Sequence, residues 1–280
     1  MKTMTARLAI ILGLFSAAAV AQEVKLIPGV QVEINLPDAP RSVANMIRQQ
    51  PDEPVRVGIK LPADYDPSQT YPLLVFLNGG DGGFGGELNM ADPLLGGQGY
   101  ILVNMPLFKR NVEGATMDDQ LLVTPRDAPI ALPAMKDILE VVRKHVPNID
   151  ESRSVLAGFS NGAFMVGVVL WSGDPDLLSR FSTFVLVEGG FWLASDRYDA
   201  VSSVTFPVAS LTGLAGKRVL VMYGDQTNPP DRIPWIADAR KTVAALQKAG
   251  VEVMDMPMPE VGHDFPAREI ARAQTLILGR

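Results

Sequence analysis

The run Gly158-Phe159-Ser160-Asn161-Gly162 restricts how this chain can fold more than any other stretch. Ser154-Val155-Leu156-Ala157 leads into it as a short apolar segment with a β-branched residue, which predicts a strand buried on both faces. Asn161 to Leu170 leads out of it, apolar on all sides, as a helix enclosed in a core would be. A strand that turns directly into a helix forces the serine into a strained backbone conformation. Glycine at 158 and 162 follows, because a Cβ at either position would collide across so tight a turn. The hydroxyl is left exposed above a helix N-terminus, where unpartnered N–H groups and the helix dipole favour negative charge. A helix-capping serine in a glycine turn satisfies the same five residues, so the flanking strand and helix carry the distinction.

The order of the remaining segments predicts a parallel sheet. Val30 to Leu36 alternates apolar and polar residues, and Val55 to Leu61 is a second strand of the sheet edge. Pro37 to Pro54 lies between them as a proline- and charge-rich excursion with a short helix expected around Val43 to Arg48. Buried strands are predicted at Tyr71 to Leu77, Tyr100 to Val103, Phe184 to Val187 and Arg218 to Tyr223, with a last strand at Val251 to Met256. Met135, Ile138, Leu139, Val142 and Val146 recur at helical spacing, with Pro133 expected in the first turn. Ile236, Ala239, Val243 and Leu246 mark a helix closed by Gly250, and Ile270 to Leu278 a terminal helix. Strand and helix alternating in this way imply a mostly parallel α/β sheet covered by helices on both faces, with antiparallel N-terminal edge strands. Ligand chemistry in such sheets sits at the carboxyl ends of the strands, where Ser160, Asp225 and His263 each fall.

A serine hydroxyl is a weak nucleophile near neutral pH and needs an adjacent base, most often histidine. The chain offers two. His145 lies at the end of the amphipathic helix and off its apolar stripe, which fits solvation or carbonyl capping. His263 follows the last strand in a Gly-His loop and is the candidate base. Asp225 directly follows a buried strand and is the candidate acid, holding the imidazole tautomer and stabilising the imidazolium. Asp231 in the same loop and Glu188 at the end of the preceding strand are its rivals, and a plain turn aspartate is the alternative use of residue 225.

Asn78 to Gly86 contains Gly-x-Gly-x-x-Gly at Gly80, Gly82 and Gly85. A dinucleotide loop fits poorly, because no helix opens at Gly85 and the next strand ends in Asn104 rather than in an acid for a ribose. The better reading is an oxyanion loop, in which backbone N–H groups converge where a carbonyl oxygen acquires charge. Phe84, Phe159, Phe191 and Trp192 are candidates for lining an acyl or aromatic pocket.

Met1 to Arg7 is basic, Leu8 to Val20 is apolar but short for a membrane span, and Ala19-Val20-Ala21 supplies a small-x-small cleavage pattern. Residues 1–21 therefore read as a signal peptide and 22–280 as one domain, secreted or periplasmic and without membrane insertion after cleavage. Removing the positive charges of Lys2 and Arg7 takes the formal charge from −6 to −8, which argues against nucleic acid as a partner. The chain has no cysteine, so a disulfide framework and a thiolate metal site are both excluded, and two distant histidines make no ligand cluster. No cofactor or metal is expected.

With these residues in view, the chain resembles the secreted α/β-hydrolases of the esterase group that includes feruloyl and acetyl-xylan esterases, polyhydroxyalkanoate depolymerases and dienelactone-hydrolase-like proteins. The resemblance covers roughly Val55 to the C-terminus and rests on Tyr71 to Gly80, Ile149 to Ala163 and Val261-Gly262-His263. It implies an α/β-hydrolase fold and a serine esterase acting on a small or polymer-linked ester, with oxyanion donors at the backbone N–H groups of Gly80 and Asn161. Two departures stand out. Asn78 occupies a position where such proteins usually carry histidine, and Thr227 stands where they commonly place the acid. A serine peptidase of the same fold and a non-catalytic binding protein are the alternatives.

Overall fold

The computed structural model of the protein describes residues 24–40, 42–44, 54–80, 88–108, 127–191, 211, 213–226 and 235–280. Residues 1–21, expected to be a signal peptide, and Phe84, Trp192 and Asp231 lie outside the described residues.

Eight strands form one mixed sheet: β1 (Gln31–Leu36), β3 (Val55–Lys60), β4 (Leu73–Leu77), β5 (Ile101–Met105), β7 (Val155–Phe159), β8 (Thr183–Val187), β9 (Arg218–Gly224) and β10 (Glu252–Met258). Their spatial order is β1-β3-β5-β4-β7-β8-β9-β10, with β1 and β3 antiparallel to their neighbours and every other pair parallel. The expected α/β class and antiparallel N-terminal edge are thus the observed ones. Strand β4 shows why the interior strands read as continuous apolar runs. Leu73, Val75 and Leu77 enter one core and Leu74 and Phe76 the other, so both faces are dry. Edge strand β1, by contrast, buries Ile34 and Leu36 and leaves Gln31, Glu33 and Asn35 exposed.

One face of the sheet is covered by α2 (Ala128–His145), α3 (Asn161–Ser172) and α5 (Trp235–Lys248), the other by α1 (Ala91–Leu95) and α6 (Ile270–Leu278). Helix α4 (Pro175–Ser179) starts at Asp174, whose carboxylate accepts the Asp176 and Leu177 amides as an N-cap. None of the helices in the described residues is long and apolar enough to cross a membrane.

Two local expectations are corrected. The helix expected from Val43 begins instead as a two-residue strand, β2 (Val43–Ala44), paired with β6 (Leu107–Phe108). Burying Val43 and Phe108 against the core outweighs local helical preference, and residues 45–48 lie outside the described set. Pro133 sits inside α2 rather than in its first turn, which holds Pro129.

Candidate active site

Ser160 connects β7 to α3 with φ 51° and ψ −116°, a conformation rarely adopted by a residue with a side chain. The neighbours force it. A Cβ on Gly158 would lie 2.3 Å from the Gly162 carbonyl carbon, and a Cβ on Gly162 only 2.0 Å from the Leu77 oxygen. The Ser160 amide donates to Val187 O at 2.8 Å, so the turn is tied to β8 as well as to β4.

The His263 ring meets this serine, with Nε2 2.9 Å from Ser160 Oγ. Its ring also packs on Phe159, with centroids 5.2 Å apart. Phe159 in turn lies against the glycine loop, because a Cβ on Gly79 would come within 2.8 Å of its ring. His145 ends α2 and plays no part here.

The carboxylate beside His263 is Glu188. Its Oε2 lies 3.7 Å from His263 Nδ1, and its Oε1 accepts the Gly224 amide. Glu188 follows the last residue of β8 at φ 53°, and its amide donates to Met222 O at 2.9 Å. It is 1 % exposed, and burial pushes its carboxyl up from the ordinary range, opposed by His263 and by the Gly224 amide. Asp225, the expected acid, stands in the turn after β9. Its exposed side chain is turned to the loop after β10, where Oδ1 accepts the Glu260 amide at 2.7 Å. That bond holds Glu260 at φ 57° and steadies the loop that carries His263. Glu188 was among the rivals readable from sequence. Its signal is a charged residue directly after a continuous apolar strand, followed by two glycines.

Both residues expected to supply oxyanion donors, Gly80 and Asn161, fall among the described residues. Asn161 is the first residue of α3, and its side-chain amide donates to Phe108 O at 2.5 Å. Gly80 ends the described part of the glycine loop, and the space where its Cβ would stand is open for at least 4 Å. Of the candidate pocket residues, Phe159 borders the site, whereas Phe191 is buried in the core. A hydroxyl facing an imidazole, itself facing a buried carboxylate, is an arrangement suited to acyl transfer.

The fold is the α/β-hydrolase fold. An esterase structure from Rhizomucor miehei superposes with a TM-score of 0.57 at 16 % identity, covering 91 % of this chain and 86 % of that one. An acylaminoacyl peptidase from Pyrococcus horikoshii gives a TM-score of 0.57 at 19 % identity, covering 81 % and 38 % of the two chains. In sequence, Dipeptidyl-peptidase 5 of Trichophyton schoenleinii is 29 % identical over 136 residues, 46 % of this chain. The match spans only 18 % of that relative's length. No protein-family model matches the chain.

Proposed function

We propose that the protein is a serine carboxylic-ester hydrolase that is exported after removal of residues 1–21 and works through 22–280 as a single domain. The observation that carries this reading is the 2.9 Å approach of His263 Nε2 to Ser160 Oγ, with the serine held at φ 51° on a strand-to-helix turn. Ser160 attacks the ester carbonyl while His263 takes its proton. The carboxylate of Glu188 orients the imidazole and stabilises the imidazolium. Backbone N–H groups of Gly80 and Asn161 hold the tetrahedral oxyanion, each worth on the order of 3 kcal/mol in the transition state. The imidazolium then protonates the leaving alcohol, and water activated by the same base resolves the acyl-enzyme. Phe159 lies against the base and lines the acyl side of the site; Phe84 and Trp192 are proposed to extend that lining.

The full-length likeness to a fungal esterase favours ester substrates. The sequence match to a dipeptidyl-peptidase favours a second reading, cleavage of peptide amides by the same residues. A panel of nitrophenyl esters of increasing acyl length, a feruloyl ester and a dipeptidyl anilide separates the two. The esterase reading expects turnover of the esters that is lost in Ser160→Ala. Turnover of the anilide alone would transfer the assignment to the peptidase reading, and no turnover by folded protein would leave a binding protein.

A further inference from the structure

The candidate acid is carried by a segment that helix α5 grips from behind. Thr242 is fully buried on α5, and its Oγ1 accepts the Phe191 amide at 3.1 Å. Asp238 stands four residues earlier on the same helix and is 2 % exposed. Both side chains converge on the backbone of Gly190. A Cβ there would lie 2.4 Å from Thr242 Oγ1 and 2.7 Å from Asp238 Oδ2. On its other side, the Gly190 carbonyl oxygen would be 2.3 Å from a Cβ on Gly167 of α3. One residue earlier, Gly189 is pressed against the turn at Ser160, since a Cβ on it would meet the Ser160 carbonyl oxygen at 2.8 Å.

We propose that Thr242 is a positioning residue for catalysis: by anchoring Gly190-Phe191 to α5, it fixes where the Glu188 carboxylate stands relative to His263. The inference rests on the hydrolase reading of Ser160 and His263 and extends it to a side chain that touches neither. The physical reason lies in the backbone of Glu188. At φ 53° this residue sits in a region unfavourable to a side chain and holds there only when the chain on both sides is fixed. The Met222 carbonyl fixes its own amide, and Gly189-Gly190 alone would be too permissive to fix the other side. The hydroxyl of Thr242 supplies that second anchor. The exposed Asp264 of the histidine's own loop adds negative potential at the carboxylate.

Replacing the hydroxyl by a methyl in Thr242→Val removes the acceptor at nearly constant volume. The expected result is a loss of kcat of roughly tenfold to a hundredfold with KM little changed, the scale seen when a catalytic group is displaced by about an ångström. Thr242→Ser restores the acceptor and with it the activity. Because a retreating carboxylate stabilises the imidazolium less, the His263 titration followed by NMR moves to lower pH in Thr242→Val and returns in Thr242→Ser. In a Glu188→Gln background, Thr242→Val should cause no further loss of kcat. Thr242→Ala, which leaves space where valine brings a methyl, is a second variant expected to behave as Thr242→Val does. An unchanged His263 titration in both variants overturns the inference, as does a kcat loss of the same size in the Glu188→Gln background. If the wild type hydrolyses neither ester nor anilide, the hydrolase reading falls, while the titration still decides whether Thr242 sets the Glu188–His263 geometry.

Discussion

Glu188 Oε2 lies 3.7 Å from His263 Nδ1 while the other carboxylate oxygen accepts the Gly224 amide, so the imidazole faces an acid carried by β8 rather than one carried by β9. The two strands are neighbours in the sheet, and the longer glutamate side chain spans the strand spacing that a residue on β9 would not have to cross.

Glu188→Gln keeps an acceptor for the Gly224 amide but removes the charge that faces the imidazole. A fall in kcat of about 10⁴-fold is expected, the scale found when the equivalent carboxylate of a serine triad is neutralised. Asp225→Asn preserves the oxygen that accepts the Glu260 amide and should change kcat by no more than roughly twofold, as for substitutions that keep a surface interaction. Steady-state kinetics on one ester compares the two variants directly.

The same substitution has the opposite sign for stability. Burial raises the Glu188 carboxyl, so the folded protein holds the charged form less well than the unfolded chain does. Stability tied to the neutral carboxyl is fully present at low pH and is lost as pH rises through the raised value. Glu188→Gln mimics the neutral form, so its thermal midpoint is expected to exceed that of the wild type at pH 8 and to converge with it toward pH 4. Calorimetry across this range checks it. A midpoint for the variant below that of the wild type at pH 8 would show the ionised pair to be net stabilising.

Gly79→Ala tests the packing of the base. The new Cβ would lie 2.8 Å from the Phe159 ring, whose centroid is 5.2 Å from that of His263. The ring must yield toward the imidazole, and a tenfold or greater loss of kcat with a near-normal melting temperature is expected, since a misplacement of about 1 Å in a catalytic group costs on the order of 10²-fold.

Arg218 should matter for stability alone. At the amino end of β9 its guanidinium donates to the Leu276 and Ile277 carbonyls at 2.6 and 3.0 Å, closing the C-terminal turn of α6, and Nε meets Glu252 at 3.2 Å. Arg218→Met is expected to cost about 1 kcal/mol, roughly 2–4 °C in melting temperature for a chain of this size. kcat/KM should stay unchanged, because Ser160, Glu188 and His263 sit at the opposite ends of the strands.

The parts of this architecture that were legible in the sequence are those where one physical requirement leaves a pattern. Ser160 between Gly158 and Gly162 is such a place, because a Cβ at either glycine runs into backbone. So is β4, whose continuous apolar run reports a strand dry on both faces. The acid was less legible. Asp225 and Glu188 each follow a buried strand, and the choice turns on side-chain reach and on the bond from Gly224, which only the folded sheet brings together. The pairing of Val43 is hidden for a related reason, since its partner, Phe108, lies 65 residues further along the chain. The anchoring of Gly190 by Thr242 left no local trace, because threonine on a helix face reads as an ordinary core position.

The most direct test of the account is covalent labelling of the folded protein with a fluorophosphonate, followed by intact mass and peptide mapping. One adduct per chain on Ser160 is predicted, formed rapidly in the wild type, far more slowly in Glu188→Gln and not at all in Ser160→Ala. A folded wild type that takes up no label, or an adduct that persists in Ser160→Ala, would contradict the claim that Ser160 is a nucleophile activated by His263.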